Sequence, residues 1–181
     1  MILGFRSQGL ALEVNPWQTK ESVEAVLLYR GAIISGWANV ETSLIEVAIR
    51  ASLHDAYLGH RDSYPSRFDG RISYLRAVLD LPGPLNNYSR LGHSILDRFT
   101  DAVDVRNIMA HARMSLLPMW GATFHIFQPK SDIEINYRAL RFSEEQLKML
   151  AEKATRLSRV VRMLIAQIDA RALLPPLAES E

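Results

Sequence analysis

The chain has 181 residues, 48% of them hydrophobic and 23% charged, with a formal net charge of +1 and no cysteine. That composition fits one domain of ordinary size with enough chain to bury a core. It excludes disulfides, thiolate metal sites and a cysteine nucleophile, and any nucleic-acid-binding surface must be local, because no global positive field exists.

Residues 1–14 read as an N-terminal arm, with Leu10, Leu12 and Val14 alternating as in a short strand. The opening apolar stretch is too short and too soon interrupted by Arg6 for a signal peptide or a membrane span. The cytoplasm is therefore the expected compartment, and no membrane partner is expected. A single helical domain is expected over 15–174. Asn15-Pro16-Trp17-Gln18 reads as its start: Asn15 caps, Pro16 occupies the first helical position, and Gln18 reaches back.

Val23, Val26, Leu27, Ile33, Ile34, Trp37, Val40, Leu44, Ile45 and Ala48 then recur at helical spacing. Run unbroken to Tyr57, this helix would be roughly 60 Å long, against a radius of gyration of about 16 Å for such a domain. A kink or break between Gly31 and Gly36 is the expectation.

A loop through residues 59–65 precedes a second helix over 66–81, stopped by Pro82-Gly83-Pro84. A third helix covers 86–113. Residues 122–128 and 133–140 alternate and are rich in aromatic and β-branched side chains, which predicts a β-hairpin at about 122–140. Ser143-Glu144-Glu145-Gln146 is a capping box opening the last helix, with Leu147, Leu150, Ala154, Leu157, Val161, Leu164 and Ile168 as its stripe. Pro175-Pro176 ends it, and 175–181 reads as a frayed tail. The fold class is thus mainly α: a bundle of four to five helices with a β-hairpin inserted before the last.

The chemistry concentrates in Arg106-Asn107-Ile108-Met109-Ala110-His111. A histidine of ordinary pKa moves a proton near neutrality, and an arginine presents a charged fork that matches phosphate oxygens. Together they are a minimal kit for breaking an RNA phosphodiester without a metal, the 2′-hydroxyl serving as nucleophile. Asn107 and His111 share a helix face. Arg106 and His111 are about 140° apart on an ideal helix, so they converge only if the helix loosens at its end or a second subunit completes the pair.

Arg106, Asn107 and His111 near the end of a late helix, with Trp37-Ala38-Asn39-Val40-Glu41-Thr42-Ser43-Leu44 upstream, resemble the HEPN superfamily of nucleotide-binding and RNase helical domains. The resemblance spans about residues 30–170, and the hairpin looks like an insertion in the basic bundle. It implies a metal-independent endoribonuclease acting on RNA as a homodimer, with two motifs facing each other across a two-fold axis and no cofactor. His111 would move the proton, Arg106 would stabilise the phosphorane, and Asn107 would orient the phosphate or the histidine. It also implies a toxin or phage-defence setting, with room for an antitoxin or regulatory protein as a further partner. In one toxin branch of that family a tyrosine two positions after the histidine is the target of nucleotide modification. Here that position is Arg113, so control of that kind is not expected. The alternative in another class is a non-catalytic module that uses the same groove to bind RNA, a nucleotide or a protein.

Other residues are less specific. Glu41 lies beside the apolar stripe and needs a cationic partner: it pairs with Arg106 or orients His111, or, as the plainer expectation, forms a boundary salt bridge with another arginine. Arg113 and the drifting stripe Arg156, Arg159 and Arg162 are candidate RNA contacts, although solvated helix faces look the same. His54, Asp55, His60 and Asp62 form at most a weak metal pattern, and no metal site is expected. His93 and His125 read as structural or surface residues. Trp120, Phe124, Phe127 and Tyr137 suit base stacking, but covering the bundle or a dimer contact is the commoner fate of such rings. No Gly-x-Ser-x-Gly elbow and no glycine-rich phosphate loop is present.

Overall fold

Apolar residues at three- and four-residue spacing become four α-helices: α1 (Lys20–Ser52), α2 (Phe68–Asp80), α3 (Ser89–His111) and α4 (Glu144–Ala170). The structure, a computed structural model, describes residues 20–60, 67–117, 121–129 and 135–177. Between α3 and α4 stands a three-stranded antiparallel sheet of β1 (Arg113–Leu117), β2 (Gly121–Pro129) and β3 (Ile135–Phe142), in that order. Short 3₁₀ turns occupy Asp55–His60 and Asn86–Tyr88. The expected arm over 1–14, the helix start at Asn15, the loop residues 61–65 and the last residues of the tail lie outside the described residues. No helix among the described residues is long and apolar enough to cross a membrane.

The expected break between Gly31 and Gly36 is absent: α1 is one helix of 33 residues, about 50 Å long. The rod does not protrude because α4, at 27 residues, runs beside it in the same direction. Ser22 Oγ donates to the Glu144 carboxylate at 3.4 Å near one end, and Arg50 pairs with Asp169 at 2.7 Å near the other. Gly36 serves packing instead of bending. A Cβ placed there would sit 2.9 Å from the Ala154 Cβ and 3.1 Å from its carbonyl carbon, so glycine lets the two backbones approach. Gly31 faces open space.

Ile33, Trp37, Val40 and Leu44 of α1, Leu75 and Val78 of α2, and Ile95, Leu96 and Phe99 of α3 meet the α4 stripe in one core. The capping box forms as its spacing predicts: Gln146 N donates to Ser143 Oγ at 3.1 Å, and Ser143 N donates to Gln146 Oε1 at 2.8 Å. Behind the helices, Arg50 is 5% exposed. It donates to the carbonyls of Leu174 and Pro175, tying the segment after α4 back to α1.

The sheet corrects the sequence reading in one respect. The third helix was expected to run through Arg113; instead α3 ends at His111 and residues 113–117 pair with β2. The hairpin is thus the outer two-thirds of a three-stranded sheet. Arg-Met-Ser-Leu-Leu carries no β-branched residue, and its strand state comes from pairing, with Met114 and Leu116 turned to the core. Ala122 and Phe124 are fully buried on the same inner face.

Candidate functional site

The motif lies on the last turns of α3, and α1 holds it from two points. Near the middle of α1, Trp37 and Glu41 face α3 one turn apart. The Trp37 ring lies 5.9 Å from Phe99, and Phe99 lies 5.4 Å from Phe68. These three rings wall a cavity of about 300 Å³, with Glu41, Asp69, Arg106 and Asn107 among its polar lining. Trp37 Nε1 is buried and has no hydrogen-bond partner among the described residues.

At this cavity Arg106 is clamped. Its Nη2 donates to Glu41 Oε2 at 2.7 Å and its Nη1 donates to Asn107 Oδ1 at 2.9 Å. The Arg106 and Glu41 side chains are 31% and 26% exposed, so the pair is neither sealed nor free. The partner of Glu41 is therefore the motif arginine itself, not another arginine. A guanidinium carries five N–H donors. Two are committed to the clamp, which leaves donors for an anion at the cavity mouth.

The second hold comes from Arg30. Its Nε donates to the carbonyl of Met109 at 2.8 Å and its Nη2 to that of Ala112 at 3.3 Å. It thereby satisfies carbonyls that a helix end leaves unpaired, and it sits at the negative end of the helix dipole. Its guanidinium carbon lies 5.7 Å from the centre of the Phe124 ring, a cation–π contact with the sheet. Burial draws the Arg30 pKa below the usual arginine value, yet a guanidinium remains charged near neutrality. Sequence reasoning missed Arg30. The signal was available: it falls in the stripe between Val26 and Ile33, where a charge requires a partner.

α3 stays regular to its end, with Ala112 N bonded to the Ile108 carbonyl at 2.9 Å and Ala112 in extended conformation. The helix does not loosen, and within one chain Arg106 and His111 do not meet. His111 is exposed, outside the cavity lining, and has no hydrogen-bond or ion-pair partner among the described residues.

Two residues beyond His111, Arg113 opens β1 and lies opposite His125. With Ser115, His125, Phe127 and Tyr137 it lines an open cleft of about 480 Å³ on the outer face of the sheet. There His125 Nε2 bonds Ser115 Oγ at 2.9 Å and Nδ1 bonds Tyr137 Oη at 2.7 Å. Of the rings considered for stacking, Phe124 is core, Phe127 and Tyr137 are exposed, and Trp120 lies outside the described residues.

The remaining candidates stay apart from the motif. Arg156, Arg159 and Arg162 are exposed along α4. His93 Nε2 meets Asp80 at 2.7 Å, bridging α3 to α2. His54 Nδ1 accepts from Ala56 N at 3.1 Å and so caps the 3₁₀ turn. No cluster of metal-ligating side chains occurs among the described residues, and Asp62 lies outside them. Comparison of the chain with family models, curated proteins and solved structures returns no match.

Proposed function

We propose that this chain is a HEPN-like, metal-independent endoribonuclease that acts as a homodimer. The observation that carries this reading is the clamped Arg106 with donors to spare, set on the same helix as an exposed, unpartnered His111. Because α3 is regular, one chain cannot bring the two together. A second copy across a two-fold axis supplies the missing half and adds a second imidazole, so that one histidine acts as base and the other as acid.

In that site the base takes the 2′-hydroxyl proton as the 2′ oxygen bonds to phosphorus. The phosphorus–O5′ bond breaks, and the acid protonates the departing oxygen. Arg106 stabilises charge on the phosphorane oxygens, and Asn107 orients the phosphate. The products carry a 2′,3′-cyclic phosphate and a 5′-hydroxyl.

A non-catalytic RNA- or nucleotide-binding module is the second reading, favoured by one observation. An aromatic-walled cavity adjoins the arginine, and its volume lies at the small end of ligand pockets. Cleavage of labelled single-stranded RNA in excess EDTA separates the two. Loss of cyclic-phosphate products in both His111→Ala and Arg106→Ala supports the nuclease. RNA bound equally by wild type and His111→Ala, without cleavage by a dimeric protein, supports the module.

A further inference from the structure

We propose that the outer face of the sheet is a single-strand RNA subsite, one base stacking on Phe127 and Tyr137 with its phosphate at Arg113. That the strand is RNA rests on the function proposed above; the stacking surface rests on its own geometry. Antiparallel register puts Phe127 opposite Tyr137 and Arg113 opposite His125, and the same alternation places Arg141 on that face. Ring centres of Phe127 and Tyr137 are 5.2 Å apart, and the rings of His125 and Tyr137 are near parallel, at 18°.

Phe127 is 59% exposed and Tyr137 55%. Yet the Tyr137 hydroxyl is fixed by His125, whose other nitrogen is fixed by Ser115. Holding the rings in advance removes part of the ordering cost that a binding partner would otherwise meet.

The charge decides what fits. Arg113 and Arg141 are exposed on this face, and no carboxylate shares it among the described residues. Two exposed rings facing one cleft of about 480 Å³ offer a π-face on which a single base can stack. Aromatic rings interleaved with arginine are the pattern by which single strands are held, bases on rings and phosphates on cations. Arg113 follows His111 by two residues, so a strand on the sheet runs directly to the end of α3.

The test is fluorescence anisotropy of a short fluorescein-labelled single-stranded RNA in EDTA, with His111→Ala as the parent so that the probe stays intact. Phe127→Ala combined with Tyr137→Ala is expected to weaken binding by about tenfold or more. Tyr137→Phe, which keeps the ring but loses its bond to His125, is expected to weaken binding only about threefold, by the ordering cost alone. Arg113→Gln is expected to lower the salt dependence by about one phosphate contact. Circular dichroism melting of each variant, expected to match the parent, shows that the bundle stays folded. Parent-like affinity in the doubly substituted protein overturns the subsite, as does a parent that binds no RNA. A change in its sedimentation instead of its affinity also overturns it, and makes the face a contact between copies. Loss of cleavage by wild type with sheet-dependent binding retained would sink the nuclease reading while leaving this one intact.

Discussion

The carboxylate of Glu41 and the guanidinium of Arg106 meet at 2.7 Å across 65 residues of chain, joining the middle of α1 to the last turns of α3. A free arginine would sample many rotamers; this one is aimed. The clamp is partly solvated, so its contribution to stability is small, and its main effect is on where the remaining donors point.

Glu41→Gln and Arg106→Gln are therefore expected to show a coupling of about 1 kcal/mol or less in a double-mutant cycle read by thermal melting. Under the nuclease function proposed above, RNA cleavage by Glu41→Gln is expected to fall much further, about tenfold to a hundredfold, because misplacing a positioned group costs rate more than fold. Equal and small effects on both readouts would show that the clamp is only a boundary ion pair.

Arg30→Met strips two carbonyls at the end of α3 of their partner. A loss of about 1–3 kcal/mol is expected, with faster hydrogen exchange concentrated in the last turn of α3 and the first residues of β1. Uniform acceleration across the chain would mean that Arg30 supports the fold as a whole.

The two glycines of α1 should respond in opposite senses. Gly31→Ala meets open space in a helix interior and should stabilise by up to about 1 kcal/mol. Gly36→Ala forces a Cβ against Ala154 and should destabilise by about 1–3 kcal/mol, less the same helix gain. Chemical denaturation of both variants gives the comparison directly.

Tyr57 supplies a pH test of the fold. It is fully buried, and its Oη accepts from Leu85 N at 2.9 Å. Burial raises its pKa, an effect that the bond from Leu85 only partly opposes. The folded state therefore holds this proton more tightly than the unfolded chain does. Its contribution is complete below the unfolded value of about 10 and is lost as pH rises through the folded value. Unfolding free energy should begin to fall above about pH 10, and Tyr57→Phe should remove that part of the slope. The variant should also lose about 1–3 kcal/mol at neutral pH by orphaning the Leu85 amide.

How much of this was legible in the sequence follows from the reach of each interaction. Ser143 and Gln146 announced their helix because a capping box is complete within one turn. The stripe of α4 was readable for the same local reason. Gly36 misled because its role is defined by Ala154, and a glycine that admits a neighbouring backbone looks like one that bends a helix. β1 was missed because Met114 and Leu116 became strand residues only through pairing with β2. At the site, Arg106, Asn107 and His111 stood out as residue types, but the clamp on Arg106 depends on packing α1 against α3. The Ser115–His125–Tyr137 chain needed the sheet register before it could be seen at all.

The alignment of α1 with α4 bears on the order in which the protein is made. The longest helix to emerge from the ribosome finds its principal neighbour near the other end of the chain, after two helices and a sheet have been synthesised. Until Ala154 and its neighbours appear, Ile33, Trp37 and Val40 lack part of the cover that buries them. Such sequence-distant pairing slows folding and leaves apolar surface open to wrong partners in the interval. Truncation before α4 should thus yield an aggregating chain instead of a smaller working domain.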